Sequence, residues 1–349
     1  MKLVFDGRFI QRHPDGISKF SLGLINELKR LVPLTVLVNA DYQREQIGSG
    51  VEFLEGRAPT SLLEPFTSLL LNRAGADVVF SPMQTTSGLF KKYKLVLTIH
   101  DLIYYRYKTP PAQFNPFIRG LWWLYHQSYL PQRLVLRAAD AVATVSNTSR
   151  KQILEARLTK KPIWVIPNAS DLPVPEPAPK NKQLIYMGSF IGYKNVESLI
   201  TAMADLPDYE LALLSKISPE RKAELQTLVP EGARVSFIGG VSNQEYATYL
   251  AEGFALVSAS LDEGFGIPAL ESISQGTPAV LSNLEIFQEV AGDGAIYFDP
   301  RDPADFVRAI RELEDPEVYR ATSLAGGRQA AGYSWRVSAQ KLLALLKSL

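Results

Sequence analysis

Short runs of continuous apolar residues recur along the chain at intervals that leave room for helices, and no other feature constrains the fold as much. In the first half they fall at residues 3–5, 34–38, 78–80, 95–99, 141–145 and 163–166, and in the second at 184–187, 210–214, 235–238, 255–258, 279–281 and 295–298. A strand wetted on one face alternates apolar and polar residues, whereas a parallel strand covered on both faces does not. Helical periodicity lies between the runs. Phe20, Leu24, Ile25 and Leu28 follow i, i+4, i+5, i+8, and Val196, Leu199, Ile200 and Met203 follow i, i+3, i+4, i+7. Strands alternating with helices predict an α/β protein with doubly wound parallel sheets. At 349 residues the chain exceeds one typical core, so two domains are expected.

Prolines mark the expected boundary. Pro167, Pro173, Pro175, Pro177 and Pro179 crowd residues 167–182, an extended, semi-rigid stretch with six expected strands on each side. It reads as an interdomain linker, and a surface loop within one domain is the other reading. Ligands of open α/β sheets bind outside the carboxyl ends of the strands, so two such domains are expected to face each other across a cleft.

Composition removes several function classes. With 37 basic and 36 acidic side chains, the whole chain has no polyelectrolyte face for nucleic acid. Cysteine is absent, which excludes disulfides, thiolate metal sites and a thiol nucleophile, and three histidines leave little for a His-rich metal centre. Residues 1–6 read as a short strand, not a signal peptide, and no apolar run approaches the roughly 20 residues of a membrane span. A cytoplasmic location is the expectation.

The sharpest chemical signal is Asp262-Glu263-Gly264-Phe265-Gly266-Ile267-Pro268-Ala269-Leu270-Glu271, after the run 255–258. Pro268 suits the first position of a helix, where its missing N–H costs nothing. Glu263 would precede that helix and Glu271 would lie in its first turn, about 4.5 Å along the axis from Pro268. Two carboxylates then frame a helix N-terminus whose amides and dipole favour an anion. Gly264 and Gly266 would let a ligand approach the backbone. The same spacing also suits a glycine-rich turn with two solvated glutamates.

This segment resembles the Glu-x7-Glu motif of the retaining, nucleotide-sugar-dependent glycosyltransferases of family 4, mannosyltransferase-like members in particular. Other segments are similar to that family in the same order: Gly7 and Asp15-Gly16-Ile17-Ser18; Thr98-Ile99-His100-Asp101-Leu102; Val145-Ser146-Asn147-Thr148-Ser149; Val165-Ile166-Pro167-Asn168; Met187-Gly188 through Lys194-Asn195; Glu289-Val290-Ala291-Gly292; and Phe298-Asp299-Pro300. The resemblance implies the GT-B fold, two Rossmann-like domains facing across a cleft. Residues 1–166 would bind the acceptor, 167–182 link the domains, and 183–332 bind the nucleotide sugar. Residues 333–349 would pack back on the first domain.

The resemblance also implies roles. Lys194, with the amides near Gly16 and at Gly266 and Ile267, would hold the diphosphate. Glu263 would hold donor-sugar hydroxyls and His100 would orient the sugar, while Glu271 would bind the ribose. Ile17, Gly188, Asn195, Gly264 and Phe265 complete the expected donor contacts. Gly188, Gly192 and Lys194 form a turn between a strand and a helix. A lysine at a helix start opposes the dipole, which points to an anion beside it, although a solvated lysine on a turn reads equally well. The spacing is not that of a P-loop. Ser189 stands where the family often has an arginine, which departs from full neutralisation of a diphosphate.

For the first domain, Asp15 or Ser18 would cap a helix whatever else the segment does. His100 ends an apolar strand, and it also reads as a core histidine held by Asp101. With no Asp-x-Asp pair at a strand end, turnover without metal or other cofactor is expected. The expected partners are a nucleoside-diphosphate sugar, GDP-mannose or a UDP-sugar, and a glycan or lipid-linked acceptor.

Residues 86–137 carry Lys91, Lys92, Lys94, Arg106, Lys108, Arg119, Arg133 and Arg137 against the single acid Asp101. Aromatic residues including Tyr104, Tyr105, Phe114, Phe117, Trp122 and Trp123 are interleaved. The mixture suits an anionic membrane surface at the inner face of the cell membrane or a phosphorylated lipid acceptor. It equally suits a buried aromatic helix pair with solvated cations.

Three other functions compete with this reading. A nicotinamide oxidoreductase would need Gly-x-Gly-x-x-Gly after the first strand, where Asp6-Gly7-Arg8-Phe9-Ile10 stands. A sugar-nucleotide hydrolase or epimerase could share the fold, and a non-catalytic sugar-nucleotide or lipid-glycan binding protein would account for Ser189.

Overall fold

A computed structural model describes the chain apart from residues 14, 85–87, 111–114, 175 and 177. The chain divides into two compact units, Met1–Ala169 together with Ser334–Leu349, and Ser170–Tyr333. Most of the proline-rich stretch thus belongs to the second unit, and two of its prolines, Pro175 and Pro177, lie outside the described residues.

The first unit is built on seven parallel strands, β1 (Leu3–Asp6), β2 (Leu34–Val38), β3 (Glu52–Glu55), β4 (Val78–Ser81), β5 (Lys94–Thr98), β6 (Ala141–Thr144) and β7 (Ile163–Val165). Their order is β3-β2-β1-β4-β5-β6-β7. β1, β2, β4 and β6 are buried along their whole length, as continuous apolar runs require. β3 was not expected. Its Glu52-Phe53-Leu54-Glu55 is too short and too charged to read as a covered strand, and it is an edge strand, where carboxylates discourage further pairing.

The helix Gly16–Leu31 buries Phe20, Leu24, Ile25 and Leu28, the stripe its periodicity predicts. A glycine in mid-helix costs stability, yet a Cβ on Gly23 would come within 2.3 Å of the Trp335 indole. Trp335 opens the helix Trp335–Lys347, and its ring lies 6.3 Å from that of Phe20. The Ser338 hydroxyl donates to the Pro167 carbonyl at 2.7 Å, 171 positions back along the chain. Beyond β1, the buried Arg8 guanidinium pairs with both oxygens of Asp6 at 2.8 Å and reaches Glu64 at 3.0 Å. It also donates to the Arg57 carbonyl, fastening the segment after β3 to the end of β1.

The second unit has six parallel strands, β8 (Gln183–Tyr186), β9 (Glu210–Leu213), β10 (Arg234–Phe237), β11 (Ala255–Ser258), β12 (Ala279–Ser282) and β13 (Ala295–Phe298). They run β10-β9-β8-β11-β12-β13. Counted within the unit this is 3-2-1-4-5-6, the doubly wound dinucleotide-fold order. Chain direction across the sheet reverses between β8 and β11, so the loops after those two strands diverge and leave a crevice. Tyr186, Tyr209, Phe298 and Phe306 anchor the core. No helix among the described residues is long and apolar enough to cross a membrane.

Candidate functional site

The loops that follow β8 and β11 carry the residues the sequence singled out. After β8 the chain turns through Met187 and Gly188 into a single 3-10 turn, Gly192–Lys194. Asn195 then adopts a left-handed conformation, φ 52°, which asparagine tolerates better than most residues, and the helix Val196–Ala202 begins. The Asn195 carboxamide donates to the Pro300 carbonyl at 2.8 Å, so it fastens the loop to the end of β13. Gly188 N–H donates to the Ser215 hydroxyl at 3.0 Å, and the Tyr186 hydroxyl to the Ser189 carbonyl at 2.7 Å. Arg221, which spacing did not single out, donates to the Phe190 carbonyl at 3.0 Å and pairs with Glu197, steadying the far side of the loop.

After β11 the chain passes Asp262 and Glu263 to Gly266, which caps the helix Ile267–Ser274 with φ 87°. The helix starts one residue earlier than expected, so Pro268 is second, where an N–H is still unpaired within the helix. Phe265 is not open to a ligand through its ring, which is buried edge-on against Tyr333 with centroids 5.8 Å apart. A Cβ on Gly266 would lie 2.7 Å from Phe287, and the residue's φ excludes most side chains. Gly266→Ala is therefore expected to lower stability by at least about 1–2 kcal/mol, the cost of a left-handed non-glycine residue, read as a lower urea midpoint. An unshifted midpoint would contradict the left-handed cap.

These two loops bring Lys194 and Glu263 together. Lys194 Nζ lies 2.5 Å from Glu263 Oε1, each side chain only 14% exposed. The cation that sequence reading leaves waiting for an anion is thus met by a carboxylate 69 positions away. The Leu261 amide donates to the Tyr193 carbonyl at 2.7 Å and joins the loops beside the pair. Tyr186, Met187, Gly188, Lys194, Ser260, Glu263, Gly266 and Phe287 line a crevice between the ends of β8 and β11. It encloses about 10 Å³, room for one water-sized sphere. A diphosphate meeting Lys194 would have to draw it from Glu263. The charge of Glu263, after burial, raises the Tyr186 phenol well above its usual range.

Glu271 is the fifth residue of its helix, beyond the first turn, and is 1% exposed. It does not line the Lys194–Glu263 crevice. Its charge adds to burial in raising the Tyr246 phenol, so the two side chains are close.

Gly16, Ile17 and His100 belong to the first unit. Asp15 caps the Gly16–Leu31 helix, accepting from the Ser18 amide and hydroxyl, both at 2.8 Å. Gly16 and Ile17 supply the first two amides of that helix. His100 follows β5, and its Nε2 lies 2.8 Å from the Pro82 carbonyl after β4. A carbonyl only accepts, so Nε2 carries the proton and Nδ1 of the neutral ring is an acceptor. Burial holds the imidazole pKa below its usual value. The Asp101 carboxylate caps the Ile103 amide at 2.9 Å, and the ring's neighbours are Pro82 and Phe20, 5.1 Å away edge-on. Among the described residues no group of three His, Asp or Glu side chains could hold a metal ion.

The chain is 24% identical over 324 residues to the O-antigen chain mannosyltransferase RfbU of Salmonella typhimurium, covering 86% of this chain and 87% of that protein. It is 28% identical over 292 residues to the MMP alpha-(1->4)-mannosyltransferase of Mycolicibacterium hassiacum, covering 78% of this chain and 71% of that one. Among solved structures, Alr3699/HepE of Anabaena in complex with UDP and glucose superposes with a TM-score of 0.79 at 18% identity, over the full length of both chains. The family description Glycosyltransferase Family 4 matches residues 14–173, and Glycosyl transferases group 1 matches residues 170–326. With the two matches running consecutively through both units, the chain belongs to the group 1, family 4 glycosyltransferases and has their GT-B fold.

Proposed function

We propose that this glycosyltransferase moves a hexose, mannose in the first instance, from a nucleoside-diphosphate sugar to a hydroxyl of a glycan or lipid-linked acceptor, with retention of anomeric configuration. The observation that carries the reading is the meeting of Lys194 and Glu263 where the strand order reverses, beside the start of the Ile267–Ser274 helix. Mannose, and with it GDP-mannose as donor, is supported by the two mannosyltransferase relatives.

Breaking the anomeric bond builds negative charge on the leaving diphosphate and positive charge on the sugar ring. Fixed donors aimed at the diphosphate lower that barrier most in a site poor in water. Lys194 supplies the cation, and the first amides of the Ile267–Ser274 helix supply dipoles of the same sign. Drawing Lys194 to the diphosphate releases Glu263, whose carboxylate then accepts hydrogen bonds from sugar hydroxyls. Glu271, at the inner end of the same motif, accepts from the ribose. The Gly16 and Ile17 amides belong to the same class of anion donor, and the neutral His100, with Nδ1 as acceptor, suits a sugar hydroxyl. The leaving phosphate oxygen takes the acceptor proton, so no covalent sugar–enzyme intermediate is required.

The test offers purified protein GDP-mannose and UDP-sugars with a hydroxyl acceptor in excess chelator, and follows the product anomer by NMR. Transfer in chelator with the donor's configuration kept is the expected result. Inverted product, or turnover restored only by magnesium or manganese, contradicts the reading.

A further inference from the structure

One helix of the first unit is inside out. Pro116–Tyr125 is capped by Asn115, whose side chain accepts from the Ile118 amide at 2.9 Å, and Pro116 takes the first position. It is rich in apolar residues, yet none of its ten residues is buried. Trp122 and Tyr125 are half-buried, with the Trp122 ring 5.0 Å from Tyr104 and 3.9 Å from His126. The opposite face presents Phe117, Leu121 and Leu124 at i, i+4 and i+7, exposed by 75%, 52% and 62%. Ile118, beside them, is also exposed. A helix of this length spans about 15 Å, and a stripe of this kind on a protein surface marks an interaction site.

Charge says what covers it. Between residues 102 and 137 there are five basic side chains, Arg106, Lys108, Arg119, Arg133 and Arg137, and no acid. Lys108 bonds the Gln127 carboxamide, and Arg133 bonds the backbone carbonyls of Ala156 and Arg157. Both keep their positive charge uncompensated by those partners. Trp123, exposed, adds the amphipathic ring that favours a lipid–water boundary. A protein groove or a second copy of this chain would match the apolar stripe. Asp15 and Asp101 lie near Tyr104 on the buried side of the helix, and the excess of basic side chains along residues 102–137, with the stripe, is matched by an anionic lipid surface.

We infer that the Pro116–Tyr125 helix lies in the plane of an anionic membrane surface, with Phe117, Leu121 and Leu124 inserted and the surrounding basic side chains at the headgroups. Neither the sugar nor the nucleotide enters the inference.

The test uses the full chain and vesicles of phosphatidylcholine with and without about one third phosphatidylglycerol. Wild-type protein is expected to sediment with the anionic vesicles at low salt and to leave the neutral ones largely unbound. Replacing Phe117, Leu121 and Leu124 together by serine is expected to lower the partition coefficient at least about tenfold, since each side chain adds apolar burial. Leu324→Ser, at an exposed apolar position of the other unit, is expected to bind as wild type. Thermal shifts with nucleotide sugars are to be equal for all three proteins, which separates failure here from failure of the donor reading. Equal vesicle binding by wild type and the triple variant overturns the proposal. So does absence of binding to anionic vesicles, or a dimer that only the triple variant abolishes.

Discussion

Glu263→Gln is expected to lower kcat by about 10²–10³ and to leave nucleoside-diphosphate affinity equal or tighter. Loss of one preorganised polar contact at a reacting centre has an effect of that size. The affinity goes the other way because Glu263 holds Lys194 at 2.5 Å in the free protein. A diphosphate competes with that carboxylate, and the amide competes less well. The variant keeps the side chain's volume, so the crevice between β8 and β11 keeps its wall. Steady-state kinetics with saturating donor give kcat, and titration calorimetry with GDP and UDP gives the affinity. An unchanged kcat would remove Glu263 from the chemistry, and weaker diphosphate binding would remove the competition with Lys194.

Glu271→Gln is expected to do the reverse, raising the Kd for the nucleoside diphosphate by about ten- to a hundredfold while kcat at saturating donor stays within a few fold. A hydrogen bond to a charged acceptor contributes about 1.5–3 kcal/mol, and each 1.4 kcal/mol is a factor of ten. Glu271 is 1% exposed and its substitution by glutamine keeps the side chain's volume, so the expected loss of affinity reads the proposed bond to the ribose. The same calorimetric titration decides it. Affinity within twofold of wild type would leave Glu271 a structural residue of the Ile267–Ser274 helix. The two variants together ask whether the carboxylates of one short motif divide the donor between them.

Strands were legible wherever both faces are covered, because burial on both sides writes an unbroken apolar run. β3 escaped because an edge strand keeps water on part of its surface, and Glu52 and Glu55 erase the signal. The Glu263–Glu271 segment was legible as a glycine-rich turn into a helix, but the partner of Lys194 was not. Residues 69 positions apart meet only because the sheet sets β8 beside β11, and no local spacing encodes that neighbourhood. His100 read either as a strand-end residue facing a cleft or as a core histidine held by Asp101, and its ring bonds the Pro82 carbonyl on the adjacent strand's loop, a partner that spacing does not reveal. The aromatic, basic segment was legible as a composition with two outcomes. The structure turns Trp122 onto Tyr104 and His126 and leaves Phe117, Leu121 and Leu124 exposed. Hydropathy is the same for an apolar helix facing in or out, so sequence alone could not choose.

The helix Trp335–Lys347 has a consequence for biosynthesis. Its indole fills the notch left by Gly23, and its Ser338 reaches back to Pro167, so the first-made sheet is completed by residues translated long after it. Domains usually mature in the order the ribosome delivers them. Here the contiguous Ser170–Tyr333 segment has all its parts while the earlier one still waits with Phe20 and Gly23 uncovered. A chain released after residue 333 would then hold a protease-resistant second half beside a cleavable first half.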